Sequence, residues 1–134
     1  METEIQGGCL CGGTRYRLEA LPVSLADCHC LDCRRASGAP FVTWGVVPRL
    51  AIRVTEGERR VVEHAGRWRS FAACCGTPLF FEDALDAPMV EVTICTLDDP
   101  APFGPQRVIW TEDRLPWVVT EEGLPHFVRS RDEG

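Results

Sequence analysis

The chain of 134 residues is long enough for one domain with a real core and too short for two, and its 45% hydrophobic and 25% charged residues are ordinary for a folded protein. We therefore predict a single domain over residues 1–134, with a disordered tail at about 130–134. The formal net charge of −6 provides no field that attracts phosphate, which argues against nucleic acid or an anionic membrane as the main partner.

The start of the chain is polar and acidic, and no apolar run of about 18 residues occurs in it. Neither a secretory signal nor a membrane span is therefore expected, and the predicted location is the cytoplasm. In that reducing compartment the eight cysteines, several of them closely spaced, favour metal ligation over disulfides.

The first cysteine pair, Cys9 and Cys11, is surrounded by four glycines. Glycine lets the backbone bend tightly around a metal ion without clashes of a β-carbon. This segment therefore predicts the first half of a metal site. Residues 14–18 follow it and alternate apolar with charged side chains, as a half-buried strand does.

The densest cysteine motif follows a short extended connection over residues 22–27. Cys28, Cys30 and Cys33 place three thiols within six residues, so one tight turn can bring three sulfurs to one metal ion. Three protein ligands leave a position for solvent or substrate, whereas a structural zinc site is closed by four. The ligand count favours an open site, and a closed site completed by another residue is the alternative.

The rest of the chain predicts short antiparallel strands separated by glycine and proline turns, because β-branched, aromatic and alternating residues recur in short runs. These predicted strands cover residues 41–47, 50–54, 60–64, 67–72, 79–82, 89–95 and 107–110. A single helical turn is expected at 34–37, and no stretch of about 12 residues shows clean helical periodicity. The predicted fold class is mostly β, with antiparallel sheets.

The charge of the three-cysteine motif narrows its chemistry. Zinc with three thiolates carries a net charge of about −1, so it is a poor generator of hydroxide but a good partner for another sulfur, such as a substrate thiol. Seven zinc-bound thiolates and two zinc ions would move the net charge of the chain to roughly −9. The indicated chemistry is on carbon–sulfur adducts, with Arg34 and Arg35 placed to offset the negative cluster or to hold a carboxylate.

Three ordered cysteine motifs carry a resemblance: residues 7–12 (GGCLCG), 28–41 (CHCLDCRRASGAPF) and 75–79 (CGTPL). Together they resemble the glutathione-dependent formaldehyde-activating enzyme family over nearly the whole chain. The resemblance implies a β-tent fold with two zinc ions, one of them a catalytic zinc held by Cys28, Cys30 and Cys33. It also implies a carbon–sulfur lyase type of activity, in which formaldehyde joins the thiol of glutathione, a co-substrate, as S-hydroxymethylglutathione.

One departure from the family pattern concerns the structural zinc. The family completes this site with a C-x-x-C pair, whose first member aligns with Ala72 and whose second is Cys75. Cys74 is out of register, because neighbours in an extended chain point to opposite sides. The resemblance therefore implies Cys9, Cys11 and Cys75 as ligands, and Cys74 as the fourth only if the chain kinks. A weakened or empty first site is the alternative.

Several arginines are candidates for the carboxylates of glutathione, because a guanidinium fork matches a carboxylate. They are Arg34, Arg35, Arg67, Arg69 and Arg114, and Arg35 is the first choice because it lies two residues past a proposed ligand. Cys95 is expected to be a free thiol. His29 is expected at the surface or just behind the ligands, and the four tryptophans in the core or in the wall of a pocket.

Two other classes of protein are weighed against an enzyme. A non-catalytic zinc-binding β-tent module, which binds a protein or delivers metal, would have a closed central site. A zinc-ribbon nucleic-acid binder is disfavoured by the acidic balance and by cysteine spacings unlike paired C-x-x-C motifs. The partner favoured by the sequence is a small-molecule thiol or thiol adduct, whereas the oligomeric state has no signal in the sequence.

Overall fold

A computed structural model describes residues 4–130 as ten short strands, one α-helix and several 3-10 turns. The strands are β1 (Ile5–Gly8), β2 (Arg15–Leu18), β3 (Ser24–Cys28), β4 (Val42–Pro48), β5 (Ile52–Glu56), β6 (Arg59–His64), β7 (Arg67–Ala72), β8 (Pro78–Glu82), β9 (Met89–Thr93) and β10 (Arg107–Ile109), and the helix is α1 (Leu31–Ser37). The tail predicted at about 130–134 lies outside the described residues, apart from Ser130.

These strands form two sheets. The smaller sheet has the order β1-β2-β5, and the larger has the order β10-β3-β4-β9-β8-β7-β6. Every strand pairing is antiparallel except that of β10 with β3, which is parallel. The predicted mostly β fold with antiparallel sheets is confirmed, and the arrangement is compatible with a β-tent.

Local turns account for the differences between the predicted and observed elements. The helix begins three residues earlier than the predicted turn, because Cys30 caps it and accepts the backbone N–H of Cys33 at 3.2 Å. It ends at Gly38 in the left-handed conformation with φ 70°. A 3-10 turn at Arg49–Ala51 delays β5, and a second at Ile94–Thr96 shortens the strand predicted at 89–95.

Within residues 4–130, no helix is both long enough and apolar enough to cross a membrane.

Two clusters of buried side chains make the core. The larger joins the two sheets, since Tyr16 and Leu18 of β2 pack in the same cluster as Leu79 and Phe80 of β8. The Tyr16 and Phe80 rings meet edge to face, with centroids 5.3 Å apart. The smaller cluster surrounds the three-cysteine motif and contains Ala26, Cys28, Cys33, Trp44 and Ile109. This motif is therefore built into the core and not carried on a surface loop.

A buried carboxylate ties the larger sheet to the turn before β5. The Glu82 side chain is 1% exposed, and Nη1 of Arg49 lies 2.6 Å from its Oε1, while Nη1 of Arg59 lies 3.6 Å from its Oε2. Arg49 also donates to the carbonyl oxygens of Ala84 and Ala87. A charge this deeply buried depends on its partner cations.

We expect Arg49→Met to lower the free energy of unfolding by about 3 kcal/mol, because it removes the nearest cation from a buried carboxylate. Urea denaturation measures the change. Arg53→Met is the matched control, since its ion pair with Glu19 is solvent-exposed and contributes at most about 1 kcal/mol. Equal losses in the two variants would contradict the role assigned to Arg49.

Candidate metal centre

The thiols of Cys28, Cys30 and Cys33 converge at the junction of β3 and α1. Their sulfur atoms all lie within 4.8 Å of one another, with Cys28 and Cys33 buried and Cys30 partly buried. Cys28 is the last residue of β3, Cys30 caps the helix and Cys33 lies in its first turn. Three soft sulfur donors at this spacing can hold a zinc ion. Among residues 4–130, no fourth His, Cys, Asp or Glu side chain joins this group.

The sulfur of Cys33 receives additional contacts from side chains behind it. Nε1–H of Trp44 donates to this sulfur at 3.4 Å, and Nη2 of Arg69 reaches it at 4.0 Å. Hydrogen bonds from the Cys28 and Cys30 thiols, followed by the bond from Trp44, lower the pKa of Cys33 to about 3. Hydrogen bonds with the Cys30 and Cys33 thiols, together with burial, raise the pKa of Cys28. A lowered pKa at Cys33 favours the thiolate, which is the form that binds metal.

A cavity of about 850 Å³ lies over this cluster, and all three cysteines line it. Trp44, Phe81 and Trp110 contribute aromatic walls. Trp110 adopts the left-handed conformation with φ 58°, which is uncommon for a bulky residue and turns the chain directly after β10. The volume falls within the range of small-molecule binding sites. The cluster therefore faces a space in which a ligand can approach the sulfurs.

A second group of thiols forms between the β1–β2 loop and the turn after β7. The sulfurs of Cys9, Cys11, Cys74 and Cys75 all lie within 4.8 Å of one another. Sγ of Cys74 is 3.6 Å from Sγ of Cys9 and 3.3 Å from Sγ of Cys11. Four sulfurs in one group match the ligand count of a closed structural zinc site.

The kink that allows neighbouring cysteines to share one site lies at residues 73–75. These residues form a turn, and the N–H of Gly76 donates to the carbonyl oxygen of Ala72 at 2.8 Å. The alternation of an extended chain therefore does not apply to Cys74 and Cys75. Ala72 itself is fully buried in the larger core cluster. Gly13 makes room for the group, because a β-carbon there would lie 3.0 Å from Sγ of Cys74.

The predicted arginine candidates are divided among different places. Arg67 and Arg69 line the 850 Å³ cavity, whereas Arg34 and Arg35 line a separate groove of about 370 Å³ beside Trp117. Arg114 donates to the carbonyl oxygen of Val118. Arg35 is therefore outside the cavity that holds the three thiols, and its glutathione contact stays a prediction. Arg67 and Arg69 share one face of β7 by strand parity, but nothing in the sequence shows that this face meets the cysteines.

Cys95 and His29, for which the sequence also made predictions, differ in their exposure to solvent. Cys95 is an exposed free thiol outside both cysteine groups, as expected. His29 is 1% exposed and stacks on Phe41 with centroids 4.9 Å apart, so it is not at the surface. Neither of its ring nitrogens has a hydrogen-bond partner among the described residues, and burial lowers its pKa. Burial therefore disfavours the charged form of this ring.

The fold and the two cysteine groups define a class of protein: a β-sheet domain with two cysteine groups that could hold metal ions, one of them under a cavity. All eight cysteines lie in the described part of the chain and are free. The chain belongs to the glutathione-dependent formaldehyde-activating enzyme family, whose family model matches residues 4–113. The resemblance seen in the sequence is confirmed.

Individual relatives are more distant. The chain is similar to an uncharacterized lyase of Schizosaccharomyces pombe, with 27% identity over 78 residues that cover 58% of this chain and 57% of the relative. It therefore spans little more than half the length of this curated relative. A crystal structure of a Rhodobacter sphaeroides protein covers 91% of this chain and 98% of its own, with a TM-score of 0.57 and 18% identity. This last likeness shows the fold alone.

Proposed function

We propose that this protein is a zinc-dependent enzyme of the carbon–sulfur lyase type that acts on a thiol–aldehyde adduct, such as S-hydroxymethylglutathione from glutathione and formaldehyde. Family membership and the lyase name of the yeast relative support the class. The observation that carries the proposal is the group of three convergent thiols lining a cavity of about 850 Å³. A non-catalytic zinc module has no need for such a cavity over an open ligand set.

The residues present fit two zinc ions. Cys28, Cys30 and Cys33 would hold the catalytic ion, and the four sulfurs of the other group would hold a structural ion. A zinc ion with three thiolates supplies an open, soft coordination position that favours the deprotonated form of a substrate thiol. We place the reaction in the cytoplasm, where free thiols persist.

The reaction forms a bond between the thiol sulfur and the carbonyl carbon of the aldehyde, and the carbonyl oxygen gains a proton and becomes a hydroxyl group. The reverse reaction breaks that carbon–sulfur bond. Trp44 and Arg69 fix the Cys33 sulfur through their N–H groups, so one ligand stays in place while the substrate exchanges. Trp44, Phe81 and Trp110 form aromatic walls of the cavity in which these atoms would react.

We expect the protein to accelerate the exchange between formaldehyde, glutathione and their adduct, because a zinc ion held by Cys28, Cys30 and Cys33 would favour the thiolate form of the substrate. NMR exchange spectroscopy with and without protein measures the effect. Exchange no faster than the uncatalysed background would rule out this pair of substrates.

Cobalt substitution separates the enzyme from the non-catalytic module. Adding glutathione to the cobalt protein should change its visible spectrum if a thiol enters the coordination sphere at the three-thiol site. An unchanged spectrum would mean a closed central site, and the module would then be the better reading.

A further inference from the structure

Arg69 lines the cavity over the three-thiol group and has no carboxylate partner among residues 4–130. Arg67 lines the same cavity, but its Nε lies 3.0 Å from Oδ1 of Asp83. The Arg69 guanidinium instead lies 4.7 Å from the centroid of the Phe81 ring, and its Nη2 reaches the Cys33 sulfur at 4.0 Å. Arg69 is therefore held in place by a ring and a sulfur, and no carboxylate of the described residues neutralises its charge.

Arg69 also lies where two cavities meet. A second cavity of about 450 Å³, with a mostly apolar lining, adjoins the cavity of about 850 Å³. Cys33, Trp44 and Arg69 line both of them, so the two spaces meet at one sulfur of the three-thiol group. A thiol that binds beside Cys33 from one cavity can therefore meet an aldehyde that arrives from the other, with Arg69 next to both.

The guanidinium of Arg69 has donors to spare for a substrate. A guanidinium presents several N–H groups in a planar fork, and it stays charged in proteins. Nη2 of Arg69 contacts the Cys33 sulfur, and no ion pair within residues 4–130 occupies the rest of the fork. One guanidinium can therefore serve two acceptors at once, a sulfur of the metal site and an atom of the substrate.

The proposed reaction creates an acceptor next to this position. As the thiolate sulfur bonds to the carbonyl carbon, the electron pair of the carbon–oxygen π bond moves to the oxygen, which then takes a proton and balances the one lost by the thiol. A donor aimed at this oxygen lowers the barrier, because its hydrogen bond strengthens as the charge grows. The oxygen is attached to the carbon that bonds to sulfur, whereas both carboxylates of glutathione lie several bonds away. A guanidinium that contacts a ligand sulfur is therefore better placed for the oxygen than for either carboxylate.

We propose that Arg69 is a catalytic residue of this reaction, which donates an N–H group to the aldehyde oxygen while negative charge develops there. The inference rests on the function proposed above and adds a role that the contact with Cys33 does not require. In the reverse direction the same hydrogen bond stabilises the oxyanion from which the thiolate departs. Arg69 does not supply the proton, because a guanidinium is not deprotonated in proteins.

Arg69→Ala tests this role with measurements that separate catalysis from binding. The rate of exchange at saturating glutathione and formaldehyde, measured by NMR, should fall about 100-fold, as when one oxyanion donor is removed. The dissociation constant of glutathione, from the visible spectrum of the cobalt-substituted protein, should stay unchanged, as should the zinc content. Arg53→Met is the matched control, since Arg53 is exposed and lies outside both cavities, and it should change none of these values.

Added guanidinium ion gives a readout that a merely structural role would not produce. Arg69→Ala leaves a space beside Phe81, where a free guanidinium ion can lie over the ring as the Arg69 side chain does. Guanidinium chloride, far below its denaturing concentration, should restore part of the lost rate, whereas the same concentration of sodium chloride should not. If Arg69→Ala loses zinc, Arg69→Lys decides, because it keeps a positive charge near Cys33 without the planar fork. This variant should retain zinc and still be slower than the unchanged protein.

Several results would overturn the inference while thiol binding at the metal still stands. They are an unchanged rate in Arg69→Ala or Arg69→Lys, equal effects of the two salts, and weaker glutathione binding with an unchanged saturating rate. The last result would make Arg69 a contact for a carboxylate of glutathione. If glutathione does not alter the cobalt spectrum of the unchanged protein and exchange is not accelerated, the proposed function fails together with the inference.

Discussion

Cys74→Ala is expected to reduce the metal content from two zinc ions per chain to one and to lower the free energy of unfolding by on the order of 5 kcal/mol. Sγ of Cys74 lies 3.3 Å from Sγ of Cys11 and 3.6 Å from Sγ of Cys9. It joins the β1–β2 loop to the turn after β7, so its loss frees two distant segments at once. Metal analysis and urea denaturation of the same preparations measure both effects.

Cys95→Ala is the matched control for this variant. Cys95 is an exposed free thiol outside both cysteine groups, so its replacement should leave the zinc content unchanged and alter stability by no more than about 0.5 kcal/mol. If Cys74→Ala retains two zinc ions per chain, Cys74 is not a ligand, and the kink at residues 73–75 does not serve metal binding by Cys74.

Cys33→Ala is expected to lower the rate of adduct formation more than about 100-fold, to the uncatalysed background. The three-thiol group has no ligand to spare, since no fourth His, Cys, Asp or Glu side chain in the described range joins it. The variant should lose one zinc ion but stay folded, because the four-thiol group and the larger core cluster are untouched. NMR exchange, metal analysis and a thermal melt report these three properties.

The outcome for Cys33→Ala is informative in either direction. A variant that is folded, retains one zinc ion and is inactive agrees with catalysis at the three-thiol group. A folded variant with unchanged rate would place the chemistry elsewhere in the chain. Cys95→Ala again serves as the control, and it should keep the full rate.

The sequence predicts the parts of the site that are local. Cys28, Cys30 and Cys33 converge because a strand passes into a helix within six residues, and this spacing is visible in the sequence. Most strands are also visible, because their side chains alternate between core and solvent. The family resemblance rests on the same local motifs.

The features that the sequence misses depend on contacts between distant segments. The sequence allows Cys74 as a ligand only if the chain kinks, and it does not reveal the turn at residues 73–75, closed by the hydrogen bond from the Gly76 N–H to the Ala72 carbonyl oxygen, that brings Cys74 to the β1–β2 loop. Arg69 reaches the Cys33 sulfur because of the order of strands in the larger sheet. Trp110 and Asp113 reach the same cavity because β10 pairs in parallel with β3. Strand order is set by the packing of the whole domain.

The two cysteine groups differ in when they can form as the chain is made. The three-thiol group needs only residues 28–33, so it can capture a metal ion as soon as that segment leaves the ribosome. The four-thiol group joins sulfurs 63 residues apart, and it cannot close until the turn after β7 has been synthesised. In a cell poor in zinc, a nascent chain could therefore bind an ion at the three-thiol group before the four-thiol group is able to close.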